Sequence, residues 1–250
     1  FSARNNALEL EIKILEALHQ KVIEVSKDIL IISRKIASLD VCSTLGFIAN
    51  KHNWCRPLID NSKDFIIKDG RHSVVEKTIF KKSLNAFVPN DCSLSTNEHL
   101  WLITGPNMAG KSTFLRQNAH IIILAQIGSY VPAKQAKIGI ASKLFSRIGA
   151  SDNISKGQST FMVEMLETSN IIKNADDKSF IILDEIGRGT STFDGLAIAW
   201  AIIEKVLRSN KSRTLFATHY HELTEIEKTN SKVRNVSCEI KEWNDEIIYS

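Results

Sequence analysis

Residues 105–112 read Gly-Pro-Asn-Met-Ala-Gly-Lys-Ser, which is the spacing G-x-x-x-x-G-K-[ST]. Two glycines at this interval let a backbone curl until successive N–H groups point at one β-phosphate. Lys111 brings a full charge to β- and γ-oxygens, and the Ser112 hydroxyl suits Mg2+. A glycine-rich turn that holds Lys-Ser by chance is the alternative, and the apolar strand before it and helix after it count against that. Two carboxylates, Asp184 and Glu185, end the apolar run "FIILDE". The first would hold Mg2+, and the second would orient and deprotonate a water beside a γ-phosphate. A lone pair of this kind is commonly two solvated carboxylates capping a strand. His219 in "LFATHYHEL" follows a third apolar run, within reach of the same phosphate, whereas His221 reads as a surface or capping residue. "KGQSTFMVEM" at 156–165 reads as a loop turning into a helix at Ser159. A hydroxyl there either caps the helix or waits with its dipole for an anion.

These groups need elements to hold them together. Apolar strands at Leu100–Thr104, Phe180–Asp184 and Thr214–Thr218 alternate with helices starting near Lys111, Ser159, Asp194 and His221. That alternation predicts an α/β fold around a mostly parallel sheet buried on both faces. Upstream, "DFIIKDG" and "AFVPNDCSL" read as strands and turns, and the tail reads as a hairpin turning near Asn244–Asp245. From Ala7 to Leu39, Leu8, Ile12, Leu15, Leu18, Val22, Val25, Ile29, Ile32 and Ile36 recur by threes and fours, the stripe of a long amphipathic helix. A shorter helix around Val41–Ala49 is expected after Asp40, with the boundary at Asn53–Pro57. The expected domains are thus a helical segment, 1–52, and an α/β domain, 53–250. Of the 250 residues 43% are hydrophobic and 24% charged, with a net charge of +4, so charge alone does not argue for nucleic-acid binding. Cys42, Cys55, Cys92 and Cys238 show no CxxC spacing, which favours a reducing compartment over disulfides or zinc. No apolar run approaches the roughly 18 residues of a membrane span. Phe1 in place of Met predicts a piece of a longer chain.

The Asp-Glu pair and the later His point to an ATPase of the ABC type, in which two nucleotide sites form between two domains. Five strings, "TGPNMAGKSTFLRQ", "GSYVPA", "STFMVEM", "LDEIGRGTSTFDGLAIAWA" and "ATHYHEL", together resemble the ATPase domain of the MutS DNA mismatch-repair family. The likeness is strongest to bacterial members and runs from about Arg56 to the end. The long first helix is similar to the lever arm joining that family's DNA clamp to its ATPase. The resemblance implies ATP and Mg2+ as cofactors, Glu185, His219 and Asn107 as catalytic residues, and Ser112 and Asp184 as metal ligands. It implies ATP contacts from Gly105, Pro106, Asn107, Met108, Ala109, Gly110, Lys111, Ser112 and Thr113. Phe87 in "AFVPND" falls where an aromatic ring stacks on adenine, against the alternative of a core residue on a strand. Ser159 falls at the tip of a signature helix that covers the γ-phosphate bound to a second subunit. Gly187–Gly195 falls at the loop crossing that interface, or is simply a flexible turn.

The implied partners are a second MutS-type subunit, mismatched double-stranded DNA reached through domains outside this chain, and a MutL-type repair protein, with no membrane. The implied location is cytoplasmic in a bacterium, or mitochondrial or nuclear in a eukaryotic homologue. The chain departs from the family at "GRHS" (Gly70–Ser73), where Gly-Arg-His-Pro is usual. It also stops before the family's dimer-clasping helices and begins after its mismatch-reading domain. Two rival functions remain: a MutS paralogue acting on other DNA structures, and a nucleotide-gated interaction module without useful turnover.

Overall fold

In the computed structural model the structure describes residues 2–82, 87–106, 109–149, 160–238, 240–243 and 246–249, with backbone alone for 80–82 and from 240 onward. The chain divides into two units, residues 1–48 and 49–250.

The first unit is helical. One unbroken helix, α1, runs from Ser2 to Lys51, about 75 Å at the α-helical rise. The expected parting into two helices near Asp40 is corrected by this continuity. No proline interrupts those residues, and the lone Gly46 costs only about 1 kcal/mol, too little to break so long a ladder of hydrogen bonds. The nine stripe residues from Leu8 to Ile36 are 47–61% exposed.

The second unit follows the order β1 (Leu58–Asp60), β2 (Phe65–Gly70), α2 (Ser73–Lys82), β3 (Asn90–Leu94), β4 (Leu100–Thr104), α3 (Lys111–Gln126), β5 (Gln135–Gly139) and β6 (Leu144–Arg147). It continues with α4 (Thr160–Asn174), β7 (Phe180–Asp184), α5 (Thr192–Lys205), β8 (Arg213–Ala217), α6 (Ile226–Thr229), β9 (Val233–Ser237), β10 (Ile240–Trp243) and β11 (Glu246–Tyr249). A π-helical turn, Val206–Asn210, extends α5, and a 3-10 turn, His221–Glu225, leads into α6. The helix expected at His221 is therefore two short pieces. The tail forms the expected hairpin, with Trp243 opposite Glu246.

Five strands in the order β6-β7-β8-β4-β9 form an entirely parallel sheet. Their side chains alternate between two apolar cores. Trp101, Ile103, Phe180, Ile182 and Leu215 meet Leu115 and Ile122 of α3 on one face. Leu100, Leu102, Ile181, Leu183 and Phe216 meet Ala199 and Ile203 of α5 on the other. Burial on both faces is why the central strands β4, β7 and β8 are largely apolar in sequence, whereas the edge strands β6 and β9 are partly exposed and carry polar residues. A second, mixed sheet of order β1-β5-β2-β3 closes over the α3 side through Phe65, Ile67, Leu94 and Ile138.

Register aligns the chemistry. Ile103 pairs with Ala217, and Ala217 with Asp184. The carboxyl ends of β4, β7 and β8 therefore lie at one edge, where ligand sites of open α/β sheets form. Among the described residues no helix is long and apolar enough to cross a membrane.

Candidate functional site

The loop after β4 turns at Gly105, φ +140°, and Gly110, φ +89°, before α3 begins at Lys111. At Gly105 a Cβ would lie 2.9 Å from the carbonyl oxygen of Cys238, the residue after β9, so a side chain there would push the loop away from it. Lys111 is only 5% exposed, and its Nζ donates to the Gly105 and Pro106 carbonyls at 2.7 and 2.9 Å. The lysine is thus held inside its own loop by two weak acceptors that phosphate oxygens outcompete by charge. Ala109 is buried, and Thr113 is half-buried one residue beyond Ser112. Asn107 and Met108 lie outside the described residues.

Ser112 and Asp184 are brought together across 72 residues of sequence, the serine Oγ donating to Asp184 Oδ2 at 2.6 Å. The other oxygen of Asp184, Oδ1, is buried and has no hydrogen-bond partner among the described residues. Burial foremost, then the Glu185 charge, raises the Asp184 pKa, against the Ser112 bond and the charges of Lys111 and Arg116. A buried carboxylate with an unmet oxygen beside a hydroxyl is a pair of hard donors that fits a small divalent cation. No group of three or more His, Cys, Asp or Glu forms a metal cage among the described residues. The donor set suits Mg2+, which takes few protein ligands and keeps its waters.

Glu185 follows Asp184 in a left-handed conformation, φ +55°, rare for a residue with a side chain. Its Oε1 meets His219 Nε2, and its Oε2 pairs with Arg188 Nη1 at 2.6 Å. Arg188 Nη2 also approaches His219 Nε2 at 2.9 Å. A neutral imidazole nitrogen donates to the carboxylate or accepts from the guanidinium, not both, so the tautomer of His219 decides which contact is made. These three residues line a cavity of about 280 Å³ that also includes Thr190, Thr192 and Thr218. His221 lies exposed at the start of the 3-10 turn.

The sequence-expected residues Lys111, Ser112, Asp184, Glu185 and His219 converge at this sheet edge. Phe87 is half-buried in irregular chain ahead of β3, not on a strand. Ser159 lies outside the described residues, one position before the start of α4. Sequence reasoning missed Arg188, whose only signal was its place three residues after Glu185. It also missed Glu164 and Tyr220, both of which bind the loop behind Glu185.

A glycine-turned loop between a buried parallel strand and a helix, with a hydroxyl from the first turn of that helix and a carboxylate from the end of a neighbouring strand, defines an α/β domain of the P-loop class. Within that class, the family model for MutS domain V matches residues 101–250. The chain is 52% identical over 250 residues to the DNA mismatch repair protein MutS of Ruegeria pomeroyi, covering 99% of this chain and 28% of that protein. It is 51% identical over 248 residues to the protein of the same name from Ehrlichia chaffeensis, covering 99% and 30%. For that of Oleidesulfovibrio alaskensis the identity is 49% over 251 residues, covering 100% and 27%. This chain belongs to the MutS family, and it spans under a third of the length of these relatives.

Proposed function

We propose that this chain is the ATP-binding and ATP-hydrolysing part of a DNA mismatch-repair protein, with residues 1–52 as the connector to a DNA clamp and 53–250 as the ATPase domain. The observation that carries the reading is the Ser112–Asp184 pair beside a lysine-bearing phosphate loop, with Glu185 and His219 next to it. Lys111 exchanges its two carbonyl acceptors for β- and γ-phosphate oxygens, while N–H groups between Gly105 and Thr113 surround the β-phosphate. Asn107 contacts the γ-phosphate or the attacking water, and Phe87 stacks on the adenine. Held by Ser112 and Asp184, Mg2+ supplies positive charge against the phosphates. Glu185 takes the proton of the water as its oxygen bonds to the γ-phosphorus and the bond to ADP breaks. His219 holds the Glu185 carboxylate in place and senses the γ-phosphate.

The same reading places Ser159 on the nucleotide of a second MutS-type subunit. Phe193, 86% exposed at the start of α5, supports setting the Gly187–Gly195 stretch against that subunit. Mismatched DNA, reached through segments outside this chain, and a MutL-type protein are the further partners. Cytoplasmic action in a bacterium fits the relatives' sources. The direct test is nucleotide binding by a Lys111→Ala variant. Loss of ATP binding with a retained fold is expected, because the loop loses its full positive charge. Undiminished binding would refute the phosphate-loop assignment.

A further inference from the structure

Glu164 sits on the second turn of α4 and is buried, only 6% exposed. A buried charge demands partners. Its Oε1 accepts the Gly187 N–H at 2.6 Å, while Oε2 faces Arg147 Nη2 of β6 at 3.8 Å. Arg147, equally buried, also pairs with Glu167 at 2.9 Å and donates to the Gly149 carbonyl at 2.6 Å. Two acidic residues of α4 are thereby pinned to the end of β6. The Gly187 bond is different in kind, because it leaves this network for the loop two residues beyond Glu185.

Gly187 is gripped from both sides. Its carbonyl accepts the Tyr220 hydroxyl at 3.1 Å, and Tyr220 directly follows His219. Its φ is +93°, and a Cβ there would lie 2.7 Å from Gly195 Cα, so the peptide has one place to be. Two residues on, a Cβ at Gly189 would lie 2.9 Å from Phe161 Cβ, again on α4. Glu185 itself holds a left-handed backbone conformation that persists only when its surroundings over-determine it. Among the described residues, the side chains of Glu164 and Tyr220 hold the Gly187 peptide by hydrogen bonds.

We infer that Glu164 is a positioning residue for hydrolysis: its carboxylate anchors the Gly187 peptide to α4 and so aims Glu185. The inference rests on the reading of Glu185 as the base. It also supplies the path by which a displacement of α4, the helix that begins beside Ser159, reaches the base through one hydrogen bond.

The test uses the full-length protein that contains this chain, with kcat and KM for ATP measured separately. Glu164→Ala should lower kcat on the order of 10- to 100-fold, the cost of a misplaced catalytic group, with KM changed by less than about threefold. Glu164→Gln keeps an oxygen for the Gly187 N–H and should retain most of the wild-type kcat. In a Glu185→Gln background, adding Glu164→Ala should slow the reaction no further, because Glu164 acts only through Glu185. Should Glu164→Ala fail to fold, Tyr220→Phe, which removes the opposite bond on the same peptide, should lower kcat several-fold at unchanged KM. A folded Glu164→Ala with wild-type kcat overturns the inference. So does equal loss in Glu164→Gln, or an additive loss in the Glu185→Gln background, or, where Glu164→Ala does not fold, an unaffected Tyr220→Phe. Wild-type protein without ATP turnover, or Lys111→Ala with it, would instead bring down the ATPase reading and this inference with it.

Discussion

Asp184 offers one oxygen to Ser112 and keeps the other buried and unmet, and this imbalance has a measurable pH signature. Burial raises its pKa, so folding favours the protonated form. The stabilising contribution is complete below the ordinary carboxylate value of about 4 and is lost as pH rises through the raised folded value. At neutral pH, without a cation, Asp184 therefore costs stability. Asp184→Asn should raise the thermal midpoint of metal-free protein at neutral pH, and the gain should vanish on acidification below the ordinary carboxylate pKa. The same substitution should remove any stabilisation by added Mg2+. Thermal unfolding across pH with and without Mg2+ checks both, and a gain that is independent of pH would mean that the buried charge is not its source.

At the scale of elements, Arg213 joins the two sheets. It is 1% exposed, and it donates to the carbonyls of Gly139 and Lys178 at 2.7 and 2.8 Å, with longer bonds to Ile140 and Asp64. Arg213→Met preserves length but strands several buried carbonyls, and it should cost about 3–5 kcal/mol in chemical denaturation. Arg213→Lys should fall between, since an ammonium cannot reproduce the planar fork. A loss below about 1 kcal/mol would show that water satisfies those carbonyls. This strut was not legible in the sequence, where Arg213 is one of many basic residues and its acceptors lie on three separate segments. The centre of the parallel sheet was legible, because burial on both faces writes an apolar run into β4, β7 and β8 and a glycine-lysine loop punctuates the first; the edge strands β6 and β9 are partly exposed and mixed, and left no such run. Local patterns likewise exposed Lys111, Ser112, Asp184 and His219. Glu164 was hidden because the bond that ties it to the loop after Glu185 comes from a backbone N–H, which carries no sequence signal. The continuity of α1 was hidden as well, since Asp40 and Gly46 look like an end but lack the proline that would enforce one.

For the molecule as a whole, the modest charge of +4 sets an expectation about DNA. Residues 1–250 alone should bind duplexes weakly, with a steep salt dependence and no preference for a mismatch. A titration of matched and mismatched duplexes at two salt concentrations tests this, and a clear mismatch preference would place recognition inside this chain. The central claim concerns ATP, and it is tested most directly by single-turnover phosphate release from the full-length protein and its Glu185→Gln variant, with nucleotide binding measured in parallel. The account predicts Mg2+-dependent release by the wild type, and ATP binding retained in Glu185→Gln while release slows by about 10²–10⁴-fold, the usual worth of a general base. Glu185→Gln releasing phosphate at the wild-type rate, or wild-type protein binding ATP without releasing phosphate, would contradict it.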